Sequence, residues 1–304
     1  MKLLIINYHY VTPKAYDRGI YPRSPKELDS DIKKLLDRGW EPISPNELED
    51  ITLLKEKKDK NLFLLTFDDA LKCQFVYAYP ILESYGIKGV FFVPTIILLN
   101  KALTVHKIQY IRSKIDDMYL LGLVQKSFPE IDEFSIDEAK LKKQYPYDNP
   151  EAARLKFMLN FVLKGAKKES FVNDILEKIE DQNSFFKNTY MDQEAISHLA
   201  RKGCIGFHGH THNPLSRLSP SELVMELQTF TELMKNNFKI DRISIISYPY
   251  GGPEAVSESV FSAVKAAGFS FGITMDRGIN YLEDIIETPY SLKRISISDL
   301  NEWI

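Results

Sequence analysis

A chain of 304 residues, 44% of them hydrophobic, has room for one large core and sits at the size of barrels and large α/β folds. A net charge of −3 leaves no basic footprint, which argues against nucleic acid as a partner. Two cysteines, Cys73 and Cys204, are too few for a disulfide scaffold and lack the spacing of a thiolate zinc site.

Residues 3–8 read as a buried first strand, followed by a loop punctuated by Pro13, Gly19 and Pro22. The N-terminal apolar run is four residues long, short of a signal-peptide core. No later segment reaches transmembrane length, so the chain reads as cytoplasmic. Ser24-Pro25-Lys26-Glu27 and Ser44-Pro45-Asn46-Glu47 are helix starts, with serine at the cap and proline at the first position. Residues 61–67 are apolar without alternation, as expected of a parallel strand covered on both faces. A helix over 74–85 ends at Gly86, and residues 88–94 supply another buried strand.

Strand and helix thus alternate until about residue 100, where the pattern gives way to helical periodicity and charge, with a break at residues 145–150. We read 100–190 as an all-helical insertion, a lid or rim, between barrel parts at 1–99 and 191–304. Alternation resumes with a helix at 192–201, a strand at 204–207, a helix at 219–236, a strand at 242–247, a helix at 257–267 and a strand at 271–274. Six or seven strands interleaved with helices suit an incomplete α/β barrel.

Parallel barrels carry their chemistry on the loops after the strands. Asp68-Asp69, the run His208-Gly209-His210-Thr211-His212, and Pro249-Tyr250-Gly251 each follow a predicted strand. Neighbouring strand residues point to opposite faces, so Asp68 and Asp69 serve one site only where the backbone turns. Their mutual repulsion calls for a cation; a helix cap beside a solvated acid is the plainer alternative. Asp69, His208 and His212 would form an Asp-His-His metal set with open positions, as catalysis requires, whereas lone histidines are more often structural.

At these residues the sequence resembles the polysaccharide deacetylase family, the NodB-homology family of carbohydrate esterases. Thr66-Phe67-Asp68-Asp69 matches its first motif, with Ala70 in place of glycine. His208 and His212 match its His-Ser/Thr-x-x-His motif, with Gly209 in place of the hydroxyl residue, and Pro249-Tyr250-Gly251 matches its Pro-Tyr-Gly. The early Tyr8-His9 is similar to the permuted branch that deacetylates poly-β-1,6-N-acetylglucosamine.

The resemblance implies a distorted (β/α)7-type barrel and one divalent ion, zinc first, with cobalt, nickel or iron as alternatives, on Asp69, His208 and His212. It implies Asp68 as general base, His9 as general acid, and Tyr250 with Pro249 at the oxyanion. An arginine orients the base, Arg277 as first candidate and Arg294 as second. His210 is expected to point away, and His106 lies in the first turn of the insertion.

The resulting reading is an N-deacetylase acting on an N-acetylated saccharide, lipid-linked or nucleotide-linked, in surface polysaccharide or lipopolysaccharide synthesis. The rivals are a binuclear amidohydrolase using His208 and His210, and a catalytically silent glycan-binding protein.

Overall fold

The structure is a computed structural model that describes residues 1–131, 136–145, 148–163, 165–240 and 243–304. The chain divides into two compact units, one of Met1–Lys14, Pro22–Lys101 and Lys187–Ile304, the other of Ala15–Tyr21 and Ala102–Phe186.

The first unit is a parallel sheet that curls back on itself. Its strands are β1 (Lys2–Tyr8), β2 (Trp40–Pro42), β3 (Asn61–Phe67), β4 (Val90–Val93), β5 (Ile205–Phe207), β6 (Ile245–Ser247), β7 (Phe271–Ile273), β8 (Asn280–Tyr281) and β9 (Ile295–Ser296). The order β7-β6-β5-β4-β3-β1 is parallel throughout, with β8 antiparallel on β1 and β2 parallel on β3. Ile273 pairs with Leu292, and β9 pairs with β1, so residues 292–296 join the two ends of the sheet. With that segment bridging its ends, the curled sheet takes the distorted (β/α)7-type form that the resemblance implies.

The expected strands all form: β3 matches residues 61–67, β1 begins one residue early, and β4 to β7 are shorter than expected by one to three residues. The predicted start of β6 at Arg242 lies outside the described residues, as do Pro146 and Tyr147 of the predicted break. The strands β2, β8 and β9 have no counterpart in the sequence reading. The serine caps at Ser24, Ser44 and Ser219 each form a reciprocal capping box with Glu27, Glu47 and Glu222.

The helix predicted over 74–85 is split. Gln74–Ala78 is a π-helical turn, and Tyr79–Ser84 is α-helical. Pro80 cannot donate to a turn carbonyl and its ring crowds the residue four back; a wider turn, in which Tyr79 N–H reaches Gln74 O, relieves both.

The interior is apolar at its base. Leu3 and Ile5 of β1, Leu62 and Leu64 of β3, Phe92 and Ile245 share one buried cluster. Next along the same faces come the buried polar residues Asn7, Thr66 and Ser247. Gly206 of β5 makes room for Phe92, whose ring would lie 2.4 Å from an added Cβ.

The second unit is helical around its own core, with Ile108, Ile111, Val124, Leu155, Met158 and Leu176. Arg112 is buried there and holds Asp117 through two hydrogen bonds of 2.8 and 2.7 Å. Among the described residues of the chain, no helix is long and apolar enough to cross a membrane.

Phe92 is fully buried and has no free direction to move. Gly206→Ala is therefore expected to destabilise the protein by about 1–3 kcal/mol in urea denaturation. Unchanged stability would contradict the tight approach of β4 and β5.

Candidate active site

Four strand ends build one polar cluster within the barrel unit. Asp68 N–H donates to Tyr8 O at 3.1 Å, extending the β1–β3 ladder by one residue, so Asp68 keeps the inward parity of Leu62, Leu64 and Thr66. The backbone then swings away, with Asp69 at φ 80° and Ala70 at φ 51°. That left-handed turn is how two adjacent carboxylates reach one site. It also accounts for the family's glycine at position 70, since a left-handed residue with a Cβ is strained.

Asp69 is approached by two imidazoles. His208 Nε2 lies 3.4 Å and His212 Nε2 3.1 Å from Asp69 Oδ1, and all three groups can offer a ligand atom within 4.8 Å of the others. Zinc in a tetrahedral shell of nitrogen and oxygen donors at about 2.0–2.1 Å sets ligand atoms about 3.3 Å apart, so the residues present fit such an ion. Nitrogen and oxygen donors without sulfur also suit cobalt, nickel or iron.

The imidazole of His208 is aimed from behind. Its Nδ1 lies 2.7 Å from Ser247 O, a bond that puts the proton on Nδ1 and leaves Nε2 to face Asp69. Burial disfavours the His208 imidazolium, but Asp68 and Asp69 outweigh it and raise the pKa above the usual histidine range.

His212 sits at φ 60° in a loop braced by buried Glu226 of the helix Pro220–Phe238, whose Oε1 accepts from Thr211 N–H at 2.7 Å. A Cβ on Gly209, itself at φ 73°, would come within 3.1 Å of that same carboxylate oxygen. The Thr211 hydroxyl also donates to Glu226, 3.0 Å from Oε2.

The arginine paired with Asp68 is Arg294. Its two terminal nitrogens grip Asp68 at 2.8 and 2.9 Å, with Thr66 Oγ1 at 3.4 Å, and the side chain is 1% exposed. Arg277, the first candidate from sequence, is half-exposed and pairs with Asp299 at 3.1 Å and Glu302 at 2.9 Å. The difference comes from the bridging segment. Alternation along residues 292–296 turns Leu292 and Arg294 into the barrel, whereas Arg277 follows the end of β7 and reaches the C-terminal turn. Asp68 is deeply buried, which alone would raise its pKa. The guanidinium, helped by His208 and His9, reverses this and holds the carboxyl below its usual range.

His9 completes the cluster from the end of β1, its Nε2 3.8 Å from Asp69 Oδ2. Its Nδ1 faces the Asn7 amide nitrogen at 3.5 Å, an arrangement in which Nδ1 accepts and Nε2 carries the proton. Crowding by the surrounding protein lowers the His9 pKa against the pull of Asp69 and Asp68, within the limit set by a side chain 46% open to solvent. Tyr250 stands at φ 64°, with its ring 5.2 Å from that of His212. His210 is turned out of the cluster, its Nδ1 3.0 Å from Thr95 Oγ1. His106 is buried in the helical unit. Among the described residues, Asp69, His208 and His212 are the one group with metal-holding spacing.

The sequence profile described as "Polysaccharide deacetylase" matches residues 164–272, which include the His208–His212 loop and the Pro249-Tyr250-Gly251 turn. Over those residues the chain carries a polysaccharide deacetylase domain, which supports a hydrolase acting on N-acetyl amide bonds. No curated protein sequence matches it.

Among solved structures, the chain resembles IcaB from Ammonifex degensii at 16% identity and a TM-score of 0.60, covering 99% of this chain and 94% of that one. It resembles the Streptococcus pyogenes deacetylase PplD, solved with acetate, at 15% identity and 0.59, covering 98% and 92%. The de-N-acetylase of Aggregatibacter actinomycetemcomitans follows at 15% and 0.56, covering 97% and 94%. At such identities these likenesses establish the fold.

Two outcomes follow from the charge arrangement. In metal-free protein, Arg294→Met strands a buried carboxylate and is expected to destabilise by about 3–5 kcal/mol, most of it recovered in Arg294→Met with Asp68→Asn. Because the Asp68 pKa is depressed in the folded state, that difference is full near neutrality and shrinks as pH falls through the carboxylate range. A single variant as stable as wild type at neutral pH would contradict the pairing. Zinc affinity, read by competition with a chromophoric chelator, is expected to weaken from about pH 8 to about pH 6, as protons compete for the raised His208. An affinity flat over that range would exclude His208 as a ligand.

Proposed function

We propose that this deacetylase is metal-dependent, holding one divalent ion, zinc first, on Asp69, His208 and His212, and that it removes acetate from an N-acetylated saccharide. The observation that carries this reading is the convergence of those three groups beside a carboxylate already neutralised by Arg294. Two neighbouring acids are thereby free for different work. A bound ion supplies a Lewis acid that acidifies water and polarises the acetyl carbonyl.

Asp68, kept ionised and fixed in direction by Arg294, accepts the proton of the attacking water. The N–H of Tyr250, in a turn stiffened by Pro249, donates to the developing oxyanion. His9, as the imidazolium, donates its Nε2 proton to the leaving nitrogen and returns to neutral imidazole, so that acetate and a free amine are released. Arg294 takes the orienting role that the sequence reading gave first to Arg277.

The family's polymeric substrates favour a polysaccharide; a lipid- or nucleotide-linked intermediate of surface polysaccharide or lipopolysaccharide synthesis presents the same acetamide. The binuclear rival needs His208 and His210 together, and the contact of His210 Nδ1 with Thr95 Oγ1 at 3.0 Å speaks against it. The silent-binder rival is left to kinetics.

Acetate release is to be assayed on N-acetylglucosamine oligomers and on a nucleotide-linked N-acetyl sugar, with metal content measured in parallel. Wild type is expected to carry about one ion per chain. Asp68→Asn should keep the metal and lose activity by roughly 10²–10⁴-fold, and His208→Ala should lose both. An Asp68→Asn variant as active as wild type would refute the assigned base, and two ions per chain would favour the binuclear reading.

A further inference from the structure

Gln74 is a fully buried polar side chain that the account above does not use. It opens the π-helical turn Gln74–Ala78, and all of its hydrogen-bonding groups are engaged. Its Nε2 donates to His9 O at 2.9 Å and to Asp68 O at 2.6 Å, and its Oε1 accepts from Leu71 N–H at 3.2 Å. One primary amide thus ties together the main chains of the two residues assigned to proton transfer, on two different strand ends, and closes the loop between the second of them and the helix.

The two ends are not equally held without it. Asp68 has the ladder bond to Tyr8 O and both guanidinium contacts from Arg294. His9 lies one residue beyond the end of β1, with its side chain half-exposed and its carbonyl held by Gln74. The wider π-turn is what lets residue 74 point inward while Pro80 stays in the following helix.

We propose that Gln74 is a positioning residue that sets the place of His9 relative to Asp68, and so the span between proton donor and proton acceptor across the scissile amide. The assignment rests on the roles given to His9 and Asp68 in the reading above. Neither methionine nor glutamate replaces it. Methionine has the volume without the donors, and an ionised glutamate offers acceptors to carbonyl oxygens that need donors.

The test compares two substrates that differ in their need for the acid. An amide nitrogen must be protonated to leave; the 4-nitrophenolate of 4-nitrophenyl acetate leaves without a proton. In Gln74→Met, kcat for the N-acetyl saccharide is expected to fall roughly 30-fold with KM within about threefold, while 4-nitrophenyl acetate hydrolysis falls no more than about threefold. Zinc affinity is expected to stay within about threefold of wild type, because Gln74 hydrogen-bonds none of the metal-holding side chains. Gln74→Glu, of the same length, is expected to show the same split and serves if the methionine variant does not fold.

Equal losses on both substrates, or weakened zinc binding, would make Gln74 a structural residue and overturn the proposal. A variant equal to an active wild type would overturn it for Gln74 alone. A wild type that binds zinc and releases no acetate from any N-acetyl saccharide would overturn the reading of the whole site, and this assignment with it.

Discussion

Two adjacent carboxylates at the end of a buried strand repel each other, and the cluster answers that repulsion twice, by different means. Asp68 continues the strand inward and meets a guanidinium held bidentately inside the barrel. Asp69 is turned away by a left-handed residue and meets two imidazoles. Side chains of the same type then have distinct properties. The first stays ionised on a fixed arginine, as a proton acceptor must; the second faces nitrogen donors at the spacing a metal ion requires. Removing either neutralising group leaves a buried charge, so electrostatics and fold are coupled here.

The turn that separates the two acids has a conformational cost, repeated around the cluster. Asp69, Ala70, His212 and Tyr250 all lie at positive φ, and they account for most of the non-glycine residues in that state among those described. Such conformations cost of order 1–3 kcal/mol each and persist where the surroundings dictate them. Here the surroundings are explicit. Met191 N–H binds Ala70 O, Glu226 braces Thr211 beside His212, and Met275 N–H binds Gly251 O behind Tyr250. The barrel supplies the rigidity, and its loops hold the strain at the positions where side chains converge.

How much of this could be read from the sequence depended on range. The buried strands β1, β3 and β4 announce themselves as continuous apolar runs, and the carboxylate pair and clustered histidines fall directly after such runs. Short staves carry no such signal: β9 is two residues long, and the polar stretch around Lys293 and Arg294 gives no cue that alternation points Arg294 inward. Arg277 and Arg294 therefore looked alike in the sequence, and only closure of the barrel separates them. Ser247, Glu226 and Gln74 were illegible for a related reason. Each acts through a carbonyl, a loop N–H or a side-chain amide placed by tertiary structure. The π-turn has a local cause in Pro80, which falls inside the helix expected over 74–85.

The central claim is that Asp69, His208 and His212 hold one metal ion beside an Arg294-paired base. X-ray absorption spectroscopy at the zinc edge of the zinc-loaded protein tests it most directly. The account predicts light-atom scattering from two imidazoles and oxygen, with no sulfur and no metal–metal vector, and loss of one imidazole contribution in His212→Ala. A third imidazole, a sulfur shell from Cys73 or Cys204, or a metal–metal distance would contradict it.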